Sequence, residues 1–461
     1  MPVALTDSQN SGRQAGAPFA GLTGPIRSWL SDSGDRSIAQ KMAGAAFLIR
    51  VFSAGLIYLS QILLARWMGS FEFGIYVYVW TLVSVIGDLS DLGFATSTQR
   101  FVPAYAKRGA FDLLRGFLSR SRWLAVASAT VIAVAGIVAV RLLEPHLTDY
   151  LVLPLSIAFA TLPFYALMQM QDGIARAHGW INLALLPPYL VRHLVMLTIV
   201  SAAYLLHFPT DAKTALTATA VALALTVIGQ TFVLNRRLAR TVPAGPKAYE
   251  VKTWLSVSLP ILIVEGFYLL LTTVDIVMLQ HFRSPDDVAV YYAAAKTLAL
   301  ITFVHFAVSA AVGHRFSEYH ATRDHARLNG ILSDSIRWTF WGSLAASVVI
   351  LSMGRTVLWL FGEQFVAGYH LMFILAAGLM ARASVGPIER LLNMLGEQRS
   401  CAAVYAGAFV LNLVLCVVLI PRIGVDGAAV ATATALIFES VMLFLVTKRR
   451  LGLHAFIWRR S

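Results

Sequence analysis

Cysteine is nearly absent, with only Cys401 and Cys416 in 461 residues. Both lie in apolar stretches, so a disulfide framework is excluded and two buried helix thiols are expected. Charge is scarce too: Asp, Glu, Lys and Arg make up 13% of the chain, against 58% hydrophobic residues. A water-soluble protein of this length has too little interior to hide that much apolar surface, and lipid is the alternative solvent. Catalytic signatures are missing. There is no HExxH, no Walker loop and no GxSxG, and the eleven histidines show no zinc spacing. No metal or organic cofactor is implied. Acidic residues are outnumbered 24 to 37, a net charge of +13. That excess could point to nucleic acid, but the hydrophobicity argues against it.

Long apolar runs are abundant. Spans are expected at 42–68, 73–97, 121–142, 150–172, 181–206, 213–235, 255–281, 287–312, 338–361, 366–389, 400–420 and 425–447. They are too long and too uniformly apolar for outer-membrane strands, which alternate, so helices are expected. The fold class is therefore an all-α integral membrane protein with about twelve transmembrane helices. Residues 1–40 are rich in Ser, Gly and Ala and have no signal-peptide core. They read as a disordered tail with a short interfacial helix near Ile26–Leu30. The basic residues fall almost entirely in alternate loops, leaving Arg141, Lys213, Arg283, Arg355 and Arg422 in the others. The positive-inside rule then places both termini in the cytoplasm. Trp123, Trp180, Trp254 and Trp338 each begin an odd-numbered span on that side, where interfacial rings anchor.

The chain repeats itself. GFLSRSRW (116–123) leads into the third span and GILSDSIRW (330–338) into the ninth. ARAHGW (175–180) is echoed by LNMLGE (392–397), and FGIYVYVWTL (73–82) by VAVYYAAAKTL (288–298). The unit is six spans. An even number makes the repeat parallel, an architecture used by secondary transporters. The expected organisation is a tail over 1–40, a first lobe over 41–240, a linker over 241–253, a second lobe over 254–450 and a basic tail over 451–461. Spans 1, 2, 7 and 8 are expected nearest the cleft. The segment before the third span is amphipathic, and Phe111, Leu114 and Leu118 are expected on the bilayer surface with Arg115 and Arg122 at anionic headgroups.

LLARWMGSFEFGIYVYVW (63–80) and DLGFATSTQRFVPAYAKRG (91–109), with ARAHGW and LNMLGE, resemble the polysaccharide transporter (Wzx-type O-antigen flippase) branch of the MOP exporter superfamily, the multidrug/oligosaccharidyl-lipid/polysaccharide exporters. The resemblance covers roughly residues 40–450. It implies a MATE-like fold in the bacterial inner membrane and export of an undecaprenyl-diphosphate-linked oligosaccharide, followed by hand-over to polymerisation and export machinery. Lipid II flippases are relatives with two extra helices, for which no runs are present. A MATE-like drug or cation antiporter is one rival reading, and would show an acidic cavity. A membrane glycosyltransferase or polymerase is another, but the short outer loops give it nowhere to build a catalytic site.

Five basic residues lie within spans. A charge at the bilayer centre costs at least about 2.5–3.5 kcal/mol and persists only beside a cavity or a partner. Arg66 lies near an interface and is expected to snorkel. Arg50, Arg192, Lys296 and Arg382 lie about 10–16 Å deep. They are the candidates for a cationic cavity holding the diphosphate, since arginine bonds phosphate oxygens bidentately. Internal neutralisation is the competing account, because Asp88, Asp91, Glu265, Asp275 and Glu439 are also within spans. Asp88, Asp91, Glu265 and Asp275 are the gating or ion-coupling candidates. Pro154, Pro163, Pro187, Pro188 and Pro260 are expected to kink their helices.

Overall fold

The computed structural model describes residues 35–322 and 324–458. The expected interfacial helix near Ile26–Leu30 lies outside them. Residues up to Ile49 form one unit and the chain from Arg50 onward forms another. All that follows concerns the second.

Among the described residues there is no strand. The first half comprises α1 (Asp35–Ser90), α2 (Phe94–Arg108), α3 (Phe111–Leu143), α4 (Asp149–Ala177), α5 (Ile181–Leu186), α6 (Arg192–Leu205) and α7 (Ala212–Thr241). The second comprises α8 (Val251–Leu271), α9 (Val274–Phe282), α10 (Pro285–Ala299), α11 (Thr302–Ala321), α12 (His325–Ser352), α13 (Gly354–Phe361), α14 (Tyr369–Val385), α15 (Ile388–Met394), α16 (Gln398–Ile423) and α17 (Val425–Leu451). Ten continuous helical segments among the described residues are long and apolar enough to cross a membrane. A bent pair, α12 with α13 at 61°, makes an eleventh.

The first of those segments, Ile49–Arg108, contains most of the first expected span and all of the second. Gly69 breaks α1 with φ 78° and ψ 173°, a conformation open to glycine and not to other residues. The Phe361 ring shows that the chain doubles back there. It lies 5.6 Å from the Tyr58 ring and 6.5 Å from the Phe73 ring. A straight helix would hold those residues about 22 Å apart.

Apolar side chains face two solvents. In α3 only 22% of the spanning window is buried in the protein. Val131, Val134 and Val138 are exposed on that helix, and Leu225 and Ile228 on α7. Such bands are the lipid-facing surface of a multi-pass membrane protein. One core cluster joins the halves, with Phe73, Tyr76, Tyr291, Phe361 and Phe365 in it. The other lies within the second half around Leu271, Phe316, Ile388 and Tyr405.

Several helices are broken where sequence suggested continuity. The second expected span stops at Ser90. Leu92 (φ 58°) and Gly93 (φ 73°) then turn left-handed before α2 runs on to Arg108. Span 8 breaks between Ala299 and Thr302, and span 5 passes through a π-turn at Pro187–Val191. The paired prolines explain the latter, since each removes a backbone donor from the helical ladder.

Two local expectations change and a third gains detail. Trp254 is fully buried rather than interfacial: its indole N–H donates to the Tyr105 hydroxyl at 2.9 Å, and its ring meets Phe117. Arg66 is exposed and finds partners within the protein. Its guanidinium donates to the Leu360 and Trp359 carbonyls at 2.9 and 3.1 Å, satisfying the C-terminal end of α13. Leu114 and Leu118 are buried against the protein rather than lying on the bilayer surface.

Candidate functional site

The halves meet most tightly at the end opposite the basic loops. Phe73 packs against Tyr292, Phe361 and Phe365 at ring distances of 6.0–6.5 Å. Ser70 donates to Asp286, and Gly74 lies directly against the Pro285 backbone. At the basic end α2 touches α8, where Ser258 donates to Ser97 at 2.8 Å. Beside that contact opens a cavity of about 870 Å³, lined by Thr96, Arg100, Pro260, Glu265, Asn393 and Arg399. A second cavity of about 360 Å³ shares Tyr268, Glu389 and Asn393 with it and reaches deeper, to His305, Phe306 and Arg382.

The four candidate cations do not form one cluster, and none is fully enclosed: Arg50, Arg192 and Arg382 are half-buried and Lys296 is exposed. Arg50 lies 4.8 Å over the Phe306 ring, beside the deeper cavity. Arg192 occupies an aromatic pocket in the first half. Its guanidinium is 5.1 Å over the Trp80 ring, Nε donates to the Pro188 carbonyl at 3.3 Å, and Nη1 is buried without an acceptor. Lys296 sits 5.2 Å over the Tyr292 ring. Among the described residues, none of these three has a carboxylate within ion-pair distance. Arg382 is different. It lies 3.5 Å from Glu389 and 3.6 Å from Glu439, and Glu439 is fully buried.

The neutralised cation gives a direct prediction. Removing one member of a buried pair strands the other charge, at a cost of about 3–5 kcal/mol. Arg382→Met is expected to lower the melting midpoint in detergent sharply. Arg382→Met with Glu439→Leu is expected to recover most of the loss, because only the half-exposed Glu389 then lacks a partner. Equal melting of the two variants would contradict the pairing.

The acidic candidates separate by partner. Asp91 accepts from the backbone N–H groups of Gly93 (2.7 Å) and Ala95 (3.1 Å), holding the break before α2. Asp88 accepts from the Gln169 amide at 2.7 Å and makes no bond to Arg100. Glu265 faces the larger cavity and accepts from the Thr96 hydroxyl at 3.0 Å, tying α2 to α8. Asp275 is buried at the α8–α9 break, among the Tyr291 hydroxyl, Thr432 hydroxyl (3.0 Å) and Ile276 N–H (2.9 Å). It has donors all around it and no ion-pair partner.

Sequence reasoning missed two features. The pocket of Arg192 brings Trp80 of the second span against the fifth, and only the Pro187-Pro188 pair marks its position. His193, buried beside Arg192 with an unpartnered Nδ1, carried no signal at all.

Kinked apolar helices around polar cavities define a class of multi-pass membrane protein with a polar interior. Solved structures share the architecture. An inward-facing multidrug resistance MATE family transporter of the MOP superfamily is 15% identical, with a TM-score of 0.68, 88% of this chain and 94% of that one being covered. The lipid II flippase MurJ in an inward closed conformation is 14% identical, with a TM-score of 0.67 over 88% and 87%. At such identities the likeness is one of fold. Within this class the chain belongs to the polysaccharide biosynthesis protein family, whose model matches residues 41–320. A MatE model also matches residues 260–418. The probable low-salt glycan biosynthesis flippase Agl15 of Haloferax volcanii is 25% identical over 169 residues, 36% of each protein. The chain thus spans about a third of the length of that curated relative.

Proposed function

We propose that this protein is a flippase that carries an undecaprenyl-diphosphate-linked oligosaccharide from the cytoplasmic to the outer leaflet of the bacterial inner membrane. The observation that carries this reading is the set of cations with no carboxylate within ion-pair distance, Arg50, Arg192 and Lys296. An unpaired cation within a membrane-spanning helix is costly and finds its partner in an anionic ligand. The diphosphate supplies about two negative charges and oxygens matched to guanidinium geometry. The family match and the glycan flippase relative support the same substrate class. In this reading Arg382 shapes the cavity with its own carboxylates and is not a phosphate ligand. The basic loops lie in the cytoplasm, and the two six-helix lobes rock about the tight aromatic seal. Hand-over of the exported repeat unit to polymerisation machinery follows outside.

The test is transport by the full chain in vesicles, with a fluorescent polyprenyl-diphosphate oligosaccharide as cargo. Flipping of this cargo, and none of the same glycan on an uncharged lipid, is expected. Equal flipping of both would remove the cationic cavity from the mechanism.

Asp275 supports a second element, ion coupling. Its ring of hydroxyl and amide donors holds a carboxylate that makes no direct ion pair, with Lys296 acting on it only at longer range, and the MatE match includes it. An anion leaving an electrically negative cytoplasm already moves downhill, by about 2.3 kcal/mol per charge at 100 mV. A potassium–valinomycin potential, inside negative, is therefore expected to drive export at matched pH and sodium. If export instead follows an ion gradient and is lost in Asp275→Asn, the carboxylate couples transport. The same test applied to Asp88, Asp91 and Glu265 assigns their parts.

A further inference from the structure

A pocket of about 410 Å³ lies away from the transport cavities, where the start of α3, the end of α7 and the strap 242–250 meet. The strap joins the two halves of the chain. Arg115 clamps it by donating to the Pro246 carbonyl at 2.8 Å and the Pro243 carbonyl at 2.7 Å. The Ala248 N–H donates to the Asp112 carbonyl at 3.0 Å. A Cβ on Gly116 would lie 1.7 Å from the Ala248 oxygen, so glycine alone allows this approach.

Arg115 is thus occupied, but two cations beside it are not. Arg122 spends one guanidinium nitrogen on Asn235 (2.8 Å), while its Nε and Nη2 are buried without an acceptor. Lys247 reaches back from the strap and its ammonium meets only the Ser119 hydroxyl, at 3.2 Å. No carboxylate lines the pocket, and Leu118, Leu238 and Val242 form its apolar wall. The surroundings are those of a membrane interface. Exposed Trp123 and Phe232 flank the site, with Arg120 and Arg236 over their rings at 4.7 and 4.1 Å. Unfilled guanidinium donors, an ammonium group and an apolar wall at the end of two spanning helices fit a phosphodiester headgroup with its acyl chains.

We infer that this pocket binds an anionic phospholipid, whose phosphate is held between Arg122 and Lys247 and against the strap that joins the halves. Such a lipid would tie the strap to α3 and α7 from the bilayer side, apart from the transported molecule.

Delipidated full-length protein, incubated with phosphatidylglycerol or phosphatidylcholine and examined by native mass spectrometry, tests this. Retention of phosphatidylglycerol over phosphatidylcholine is expected, and Lys247→Gln and Arg122→Gln are each expected to cut it about tenfold, the loss of one charge-assisted bond. Arg236→Gln, at the same end but outside the pocket, is the control and should retain it. Lys247 touches only Ser119 on an exposed strap, so its variant carries the test even where Arg122→Gln folds poorly. Equal retention of both lipids overturns the site, as does equal loss in Arg236→Gln, which would mark diffuse charge. Inorganic phosphate that raises the melting midpoint as much as phosphatidylglycerol does would assign the pocket to free phosphate and overturn the lipid.

Discussion

Arg192→Gln is expected to abolish export while leaving the protein as stable as the parent. The two halves of that expectation come from one geometry. Arg192 has a buried Nη1 without an acceptor, a weak bond from Nε to a carbonyl in its own turn at 3.3 Å, a weak contact of Nη2 with the His193 imidazole at 3.4 Å, and the Trp80 ring beneath it. Removing it therefore costs few protein contacts, and relieves an unmet desolvation penalty. A hydrogen bond to a charged group is worth about 1.5–3 kcal/mol. Loss of one such bond to the diphosphate slows transport about 10- to 150-fold, and loss of a bidentate pair slows it further. Arg192→Lys is expected to keep part of the activity, since the ammonium preserves charge without the fork. Vesicle transport and thermal melting, measured on the same preparations, check both halves. Normal export by Arg192→Gln would move the substrate site elsewhere, to Arg50 and Lys296. A fall in melting midpoint comparable with that of Arg382→Met would make Arg192 a structural residue.

Gly74→Val is expected to arrest the protein with the aromatic seal open. A Cβ built on Gly74 falls 1.8 Å from the Pro285 carbonyl oxygen, which is backbone at the start of α10 and has no rotamer to adopt. The two helices must part. Overpacking of this kind costs about 1–3 kcal/mol. Set against the closed seal, that shifts the equilibrium by about 5- to 150-fold. Accessibility reports it. Ala289 is fully buried one turn beyond Pro285 and belongs to the same core cluster. Ala289→Cys should react slowly with an impermeant thiol reagent in the parent and at least about tenfold faster beside Gly74→Val. Cys401 and Cys416 are both fully buried and give little background. Unchanged labelling with unchanged transport would show that the seal does not move in the cycle.

The fold was largely legible because lipid imposes a simple rule. Every stretch that crosses must be apolar for about 20 residues, and each of the twelve expected spans falls on helix. Breaks within spans were less visible. The Asp-Leu-Gly at 91–93 held the signal for one, since Asp91 bonds the N–H groups that the turn exposes. The bend at Met353 carries neither proline nor an unusual φ, and its local signal is only the flanking Ser352 and Gly354. Charge positions were readable as costs, whereas their partners were not. Arg382 and Glu439 lie on separate spans whose relative rotation depends on packing, and Arg192 differs from Arg382 only in which neighbours tertiary structure supplies. The same limit hid the burial of Trp254, where hydropathy marks the end of a span but not the helix that covers it.

The strap over 242–250 is the longest stretch without helix among the described residues. To a protease it is the most extended backbone within the bundle. Trypsin cutting after Lys247 would divide the protein near its middle. The aromatic seal, the Ser97–Ser258 bond and the Trp254–Tyr105 bond all join the resulting fragments without that peptide bond. The fragments should therefore leave a sizing column as one particle and separate only when denatured. By the same reasoning, two genes encoding the halves, expressed together, can restore a working protein.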